Sequence, residues 1–381
     1  MKFAFCLYKY FPFGGQQINF LKIAKVCLDR GHQVDVFTSS WQGEIPEGFQ
    51  VLILPIQGFT NHRRRESMAK QLNRSVADKH YDAIIGFNKM PGLDVYYAAD
   101  TCYAAKADEK SFLYRITERC RSYLRMEKAV FGRSSITEIL LLSEKEKTVF
   151  IHYYGTPDHR FHLLPPGISK DCLAHSNLKK IREELRLELN IGLETNVVLL
   201  VGSSFKTKGV DRAIHAITAL PKLLREKTIL LIVGQDNPRF FRWLAWRLGV
   251  KDRVRFVGGR DDIGRFFMAA DFLLHPARRE NTGTVLIEAM AAGLPVLATD
   301  VCGFSYHIEC ADAGEIVSSP FIQKTFNQRL VYILTSEKKE QWQHNGMAYV
   351  AKADVFSRAE KAAEVIEKIA TDGYKKRKPS A

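Results

Sequence analysis

With 381 residues, of which 46% are hydrophobic, 26% charged and 11% aromatic, the chain exceeds what one core usually organises and is too apolar to stay disordered, so two folded domains are expected. No run of about 18 apolar residues occurs, which excludes a membrane-spanning helix. The net charge of +14 calls for an anionic partner, whether nucleic acid, a phosphorylated small molecule or an acidic membrane surface.

The opening MKFAFCLYKYFPFGG is too short and too interrupted for a secretory leader, so a cytoplasmic location is expected. Short apolar runs (KFAFCLY, QVDVFT, VLILP, DAIIGF, ITEILLLS) then recur to residue 143, separated by helix-like segments such as QQINFLKIAKVCLDRGH. Strand alternating with helix predicts an α/β, mainly parallel, doubly wound sheet. Gly14 and Gly15 precede the first amphipathic helix, where backbone N–H groups and the helix dipole favour an anion such as phosphate; the same glycines also serve a plain strand-to-helix turn.

His62 to Glu66 (HRRRE) forms a basic cluster containing Arg63 and Arg64. Asp100 ends the segment AIIGFNKMPGLDVYYAAD and stands either as a helix cap or as a group facing a reaction centre. Residues 101 to 133 carry eight Lys/Arg against four acids, with Phe112, Leu113, Ile116, Cys120, Tyr123, Leu124 and Phe131 at helical spacing. Such a stretch reads as a helix with a solvated basic face, or as one lying on an anionic leaflet.

After the turn-rich LPPGISKD and the charged NLKKIREELRLELN, a second series restarts: NVVLLVGSS, TILLIVGQD, RVRFVGG, DFLLHPA, LPVLATD. Two Rossmann-like halves joined near residue 170 are predicted. In VGSSFKTKGVDR, Gly202 and Gly209 flank Lys206 and Lys208, cations able to neutralise a diphosphate. Neither glycine loop is GxGxxG or GxxxxGK[ST], which argues against a dinucleotide-dependent oxidoreductase and a P-loop kinase.

The stretch ENTGTVLIEAMAAGLPVLATD places Glu280 in a loop and Glu288 on a helix of about three turns otherwise built of apolar residues. Two carboxylates so spaced suit the two ends of one elongated ligand, each accepting hydrogen bonds from vicinal hydroxyls, and an unpartnered Glu288 is expensive in that setting. His275 and His307 are read as structural, although the loop 302–306 is expected to approach a bound diphosphate. The seven cysteines lack metal-ligand spacing and are read as free, mostly buried thiols. The tail YKKRKPSA is expected to be disordered.

The Glu280-x7-Glu288 arrangement with the following AMAAGLPVLATD resembles the retaining glycosyltransferases of GT-B fold in family 4. Together with FCLYKYFPFGG, GFNKMPGLDVYYAAD, LLPPGI, GSSFKTKGVDR and DVCGFSYHI, it resembles, over about residues 1 to 370, the members of that family that add a hexose to the inner-core heptose of lipopolysaccharide. The resemblance implies two Rossmann-like domains facing across a cleft, an acceptor-binding one over 1–168 and a nucleotide-sugar-binding one over 169–354. Residues 355–370 would cross back onto the first, and 371–381 would form a basic tail. It implies a UDP-sugar donor, most simply UDP-glucose, with Gly15 near the diphosphate, Lys208 on the phosphates, Glu280 on the sugar and Glu288 on the ribose. Gly202, Ser203, Lys206, Arg260, Asn281, Thr282, Gly283 and Thr284 complete the donor set. Glu280, Asp100 and Lys208 are the catalytic candidates.

The implied acceptor is the lipid A-core at the inner face of the cytoplasmic membrane, which favours a membrane or acceptor role for Arg115, Arg119, Arg121, Arg125, Lys128, Arg63 and Arg64. With no D-x-D motif, neither metal nor cofactor is expected, basic groups and helix dipoles stabilising the leaving diphosphate instead. Ile18 and Asn19 stand where relatives commonly carry Arg-Asp, so an acidic base is not available there. Donors of the N-acetylhexosamine type and a nucleotide-sugar 2-epimerase of the same fold remain open. A nucleic-acid-binding protein is suggested by charge alone and lacks any known module.

Overall fold

The computed structural model describes residues 1–12, 14–77, 79–173 and 177–377. The chain divides into two compact units. One comprises Met1–Pro165 with the chain from Ser357 onward, and the other Pro166–Phe356. The change of unit falls within the Pro165-Pro166 pair, and Ile168 already belongs to the second unit, its N–H donating to Val355 O at 3.0 Å.

The first unit holds seven parallel strands: β1 (Lys2–Cys6), β2 (Gln33–Thr38), β3 (Phe49–Ile53), β4 (Ala83–Gly86), β5 (Val95–Ala98), β6 (Glu138–Leu141) and β7 (Phe161–Leu163). Their order is β3-β2-β1-β4-β5-β6-β7. Alternation along each strand feeds two cores. Phe3, Phe5, Val34 and Val36 enter one with the helix Gly15–Asp29, whereas Ala4, Cys6 and Phe37 enter the other with the helix Asn61–Ala77. Both faces are covered, which is why the strands read as continuous apolar runs. β5 and β7 lie outside the runs picked from the sequence; VYYA is buried through two tyrosines, and FHL is a short edge strand.

The helix Arg358–Arg377 lies on Gly15–Asp29, burying Ala362, Ala363, Ile366 and Ala370 in the core that holds Phe20 and Ile23. Glu367 there pairs with Arg30 at 2.9 Å and His32 at 2.8 Å. Since this helix runs to Arg377, the predicted disordered tail is helical at its start; its last residues, 378–381, lie outside the described ones.

The second unit has six parallel strands: β8 (Asn196–Val201), β9 (Thr228–Val233), β10 (Val254–Gly258), β11 (Phe272–His275), β12 (Val296–Thr299) and β13 (Gly314–Val317), ordered β10-β9-β8-β11-β12-β13. Buried Asp271 anchors it, accepting from Arg182 and Arg186 at 2.7 Å each, Lys339 at 3.0 Å and Val197 N–H at 2.8 Å. All seven cysteines are free, and six of them are buried. Among the described residues no helix is long and apolar enough to cross a membrane.

Candidate active site

The second sheet reverses its winding between β8 and β11. Loops leaving the carboxyl ends of two such strands diverge and open a crevice, the usual ligand position in doubly wound sheets. Gly202, Lys208 and Glu280 all lie in segments that leave these two strands.

After β8 the chain makes one helical turn, Phe205–Lys208, before the helix Val210–Thr218. Two glycines make this possible. Gly202 (φ +145°) has Lys208 Cε only 2.9 Å from where a Cβ would sit, so the lysine stem crosses the glycine. Gly209 (φ +76°) would place a Cβ 2.0 Å from Pro276 O, so any side chain drives the two loops apart. Ser204 is left-handed without being glycine (φ 61°), a strained conformation of the kind that collects at functional loops.

The loop after β11 is fixed from both sides. Arg212 donates to Pro276 O at 3.2 Å and Ala277 O at 3.0 Å, and Arg278 forks onto Asp211 at 2.7 and 2.8 Å. Thr282 O accepts from Phe304 N–H at 2.7 Å, and Glu280 forms a bridge with Cys302. The loop 302–306 therefore braces the Glu280 segment directly.

Glu280 is bonded to the Lys208 ammonium and lies 3.3 Å from His275 Nε2. Burial would raise its pKa, but the His275 hydrogen bond and the Lys208 charge outweigh that and hold the carboxyl at about 2. His275 is fully buried, and burial keeps its imidazole below the ordinary value. A neutral His275 donating from Nε2 to an ionised Glu280 satisfies both directions, and its Nδ1 is then an acceptor that finds no partner among the described residues. Sequence reasoning read His275 only as structural. Its position at the end of β11, five residues before Glu280, was the available signal.

The helix after Gly283 is Thr284–Ala291, two turns rather than the predicted three, since Gly283 is left-handed and Ala292 caps. Asn281, Thr282 and Thr284 are partly exposed beside Glu280, and Glu288 is half-buried on the helix. Lys206 is not gathered to Glu280: it is largely exposed and pairs with Asp211 at 2.9 Å. Arg260 pairs with Asp262 at 2.8 Å, while Ser203 accepts from Gln235 N–H at 3.3 Å.

In the first unit the winding reverses between β1 and β4. Gly15 begins its helix with open space where a Cβ would project. Asn19 is occupied, donating to Gly15 O at 2.8 Å, and Ile18 is exposed.

Residues 101–133 do not form one amphipathic helix. Ser111 accepts from Tyr114 N–H and Thr117 from Cys120 N–H, and these caps divide the stretch into Tyr103–Asp108, Phe112–Arg115 and Glu118–Phe131. Cys120 and Phe131 are core residues, whereas Phe112, Leu113 and Ile116 are exposed. Arg115 pairs with Asp108 at 3.4 Å, Arg125 with Glu66 at 2.7 Å and Arg63 with Glu118 at 3.3 Å. Arg64 donates to Gly58 O at 2.8 Å, and Arg121 and Lys128 are exposed. Asp100 lines a cavity with Arg119. Among the described residues no group of three or more His, Cys, Asp or Glu is placed to hold a metal.

Residues 13–171 match the model of Glycosyltransferase Family 4, and 181–348 that of Glycosyl transferases group 1. Over 95% of this chain and 98% of its own length, the lipopolysaccharide glucosyltransferase WaaG of Escherichia coli (strain K12) is 45% identical. The chain belongs to glycosyltransferase family 4. A crystal structure of WaaG, a glycosyltransferase involved in lipopolysaccharide biosynthesis, superimposes with a TM-score of 0.91 at 44% identity, covering 96% of this chain and 99% of that one. Both units thus have the Rossmann-like architecture of GT-B family 4 enzymes. The Anabaena HepE complex with UDP-glucose is 20% identical, with a TM-score of 0.74 over 98% of this chain and all of that one, and shares the fold.

Proposed function

We propose that this glycosyltransferase moves glucose from UDP-glucose to the inner-core heptose of lipopolysaccharide, with retention of configuration, at the cytoplasmic face of the membrane. The observation that carries the reading is the Lys208–Glu280–His275 cluster at the β8/β11 crevice; the similarity to WaaG supports the acceptor.

On donor binding, Lys208 exchanges the Glu280 carboxylate for the diphosphate, and hexose hydroxyls donate to Glu280 in its place. His275 stays bonded throughout, so Glu280 remains ionised when the ammonium moves. Glu288, two turns along, takes the ribose hydroxyls. As the bond from the anomeric carbon to phosphate oxygen breaks, Lys208 and nearby backbone N–H groups stabilise the departing negative charge. The acceptor hydroxyl forms its bond on the same face, and its proton passes to the leaving phosphate oxygen. No metal is assigned to these steps.

Three exposed apolar residues, Phe112, Leu113 and Ile116, stand beside Arg115 and Arg119 and support contact with an anionic leaflet that carries the acceptor. The test is UDP release from UDP-glucose with and without truncated lipopolysaccharide ending at the heptose. Release that depends on this acceptor, with one added hexose by mass spectrometry, is expected. Acceptor-independent release, or an epimerised nucleotide-sugar, overturns the reading; faster turnover of UDP-N-acetylglucosamine overturns the glucose assignment alone.

A further inference from the structure

A second constellation lies wholly within the first unit, near the carboxyl ends of β4 and β5. A cavity of about 280 Å³ is lined by Arg65, Lys89, Asp100, Lys106, Arg119 and Tyr123, among others. Arg65 comes from the helix Asn61–Ala77, Lys106 from Tyr103–Asp108, and Arg119 and Tyr123 from Glu118–Phe131. Four cations therefore face one carboxylate.

These cations differ in how they are balanced. Lys89 is settled: it donates to Glu127 at 2.9 Å and to Thr101 O at 3.0 Å. Glu127, fully buried, also accepts from Tyr103 N–H at 2.7 Å, which makes a rigid floor. Arg65, Lys106 and Arg119 have no carboxylate partner among the described residues. The Arg65 guanidinium lies 5.5 Å from the Tyr123 ring centre and that of Arg119 6.0 Å, so two like charges share one aromatic ring. The neighbouring acids are held elsewhere, Glu118 by Arg63 and Glu66 by Arg125 and Ser122. Like charges brought together without a counterion repel, and an oxyanion between them removes the repulsion through forked hydrogen bonds.

The volume lies at the small end of ligand cavities, suited to one sugar residue rather than a nucleotide. Asp100 is exposed on the wall, where a carboxylate accepts from sugar hydroxyls. We propose that this cavity is a subsite for an anionic sugar residue, its phosphoryl or carboxylate group held by Arg65, Arg119 and Lys106 and a hydroxyl by Asp100. It rests on the proposed transfer reaction in that this sugar would be the charged part of the acceptor; the binding site itself stands without it.

Two measurements separate the claims. The first uses ligand-observed NMR on the whole protein without donor, comparing glucose 6-phosphate, glucuronate, glucose, inorganic phosphate and phosphatidylglycerol vesicles. Binding of the two charged sugars, at least tenfold tighter than glucose or inorganic phosphate and weakened at least tenfold in Arg65→Gln and again in Lys106→Gln, is expected. Lys106 is exposed, so Lys106→Gln keeps the test valid should Arg65→Gln unfold. Equal binding of inorganic phosphate, competition by vesicles alone, or no change in either folded variant overturns the subsite. The second compares transfer to acceptor with its charged groups intact and removed. A KM raised at least tenfold by Lys106→Gln for the intact acceptor only supports the proposal, and an equal change for both overturns it. Absence of any transfer by the unsubstituted enzyme sinks the transferase reading and leaves the NMR result to decide the subsite.

Discussion

The crevice between β8 and β11 and the basic cavity of the first unit treat charge in opposite ways. In the former, Lys208, Glu280 and His275 are mostly buried and neutralise one another. In the latter, Arg65 and Arg119 are partly to fully exposed and stack on tyrosine instead of pairing with a carboxylate. An ion pair assembled inside the protein is preorganised: a ligand that displaces one partner meets dipoles and charges already in place, with little reorganisation left to do. Cations without internal partners gain most from a counter-charge brought from outside. The difference suits a small donor that visits the first site and an anionic, surface-bound molecule at the second.

Glu280→Gln breaks the preorganised side most sharply. The amide keeps the shape but removes the charge that both Lys208 and His275 address. Initial transfer rates are expected to fall about 10²- to 10³-fold, the loss typical of deleting a preorganised electrostatic contact. UDP affinity by calorimetry should change by less than about threefold, about 0.7 kcal/mol. An unchanged rate would mean that the pair is only structural.

Acid sharpens the same contrast. Glu280 is held at about 2, below its ordinary 4.5, so its contribution to stability is complete above about pH 4.5 and is lost as pH falls towards 2. The shift corresponds to a contribution on the order of 3 kcal/mol. His275, held below 6.5, adds a separate loss as pH drops below that value, because the unfolded imidazole takes a proton that the buried one refuses. Melting of the unsubstituted protein and of Glu280→Gln, followed from pH 7 to pH 3, should therefore show a constant gap down to about 4.5 that narrows below it. A gap constant to pH 3 would show that Glu280 has an ordinary pKa.

How much of this was readable in the sequence depended on range. Gly283, Gly293 and Pro295 punctuate the chain locally, and the loop, helix and strand from 280 to 299 followed from them, while five strands of the second sheet were legible as short apolar runs. The pairing of Lys208 with Glu280 spans 72 residues, and only the order of β8 and β11 brings them together. β13 escaped notice because GEIV is a four-residue edge strand whose first three residues are only partly buried. The stretch 101–133 was misread as continuous although Ser111 and Thr117 carry the breaks; a run of helix formers hid the caps.

Those breaks set the last and smallest effect. Because Phe112–Arg115 is a single turn set off by caps, Phe112, Leu113 and Ile116 cannot form a long apolar stripe; they form a compact exposed group among cations. Each such side chain adds about 1.5–3 kcal/mol when fully buried, and partial insertion at an interface yields a fraction of that. Phe112→Ser with Leu113→Ser should thus reduce sedimentation with phosphatidylglycerol vesicles about five- to tenfold, leaving UDP-glucose binding unaltered. Pairing is the alternative explanation for any charge effect here, since Arg115 and Arg125 already have acids while Arg119 and Arg121 have none among the described residues. Reversal of Arg121 to Glu should therefore weaken pelleting more than reversal of Arg125, and pelleting unchanged by either reversal would show that the apolar group, not the unpaired charge, sets vesicle binding.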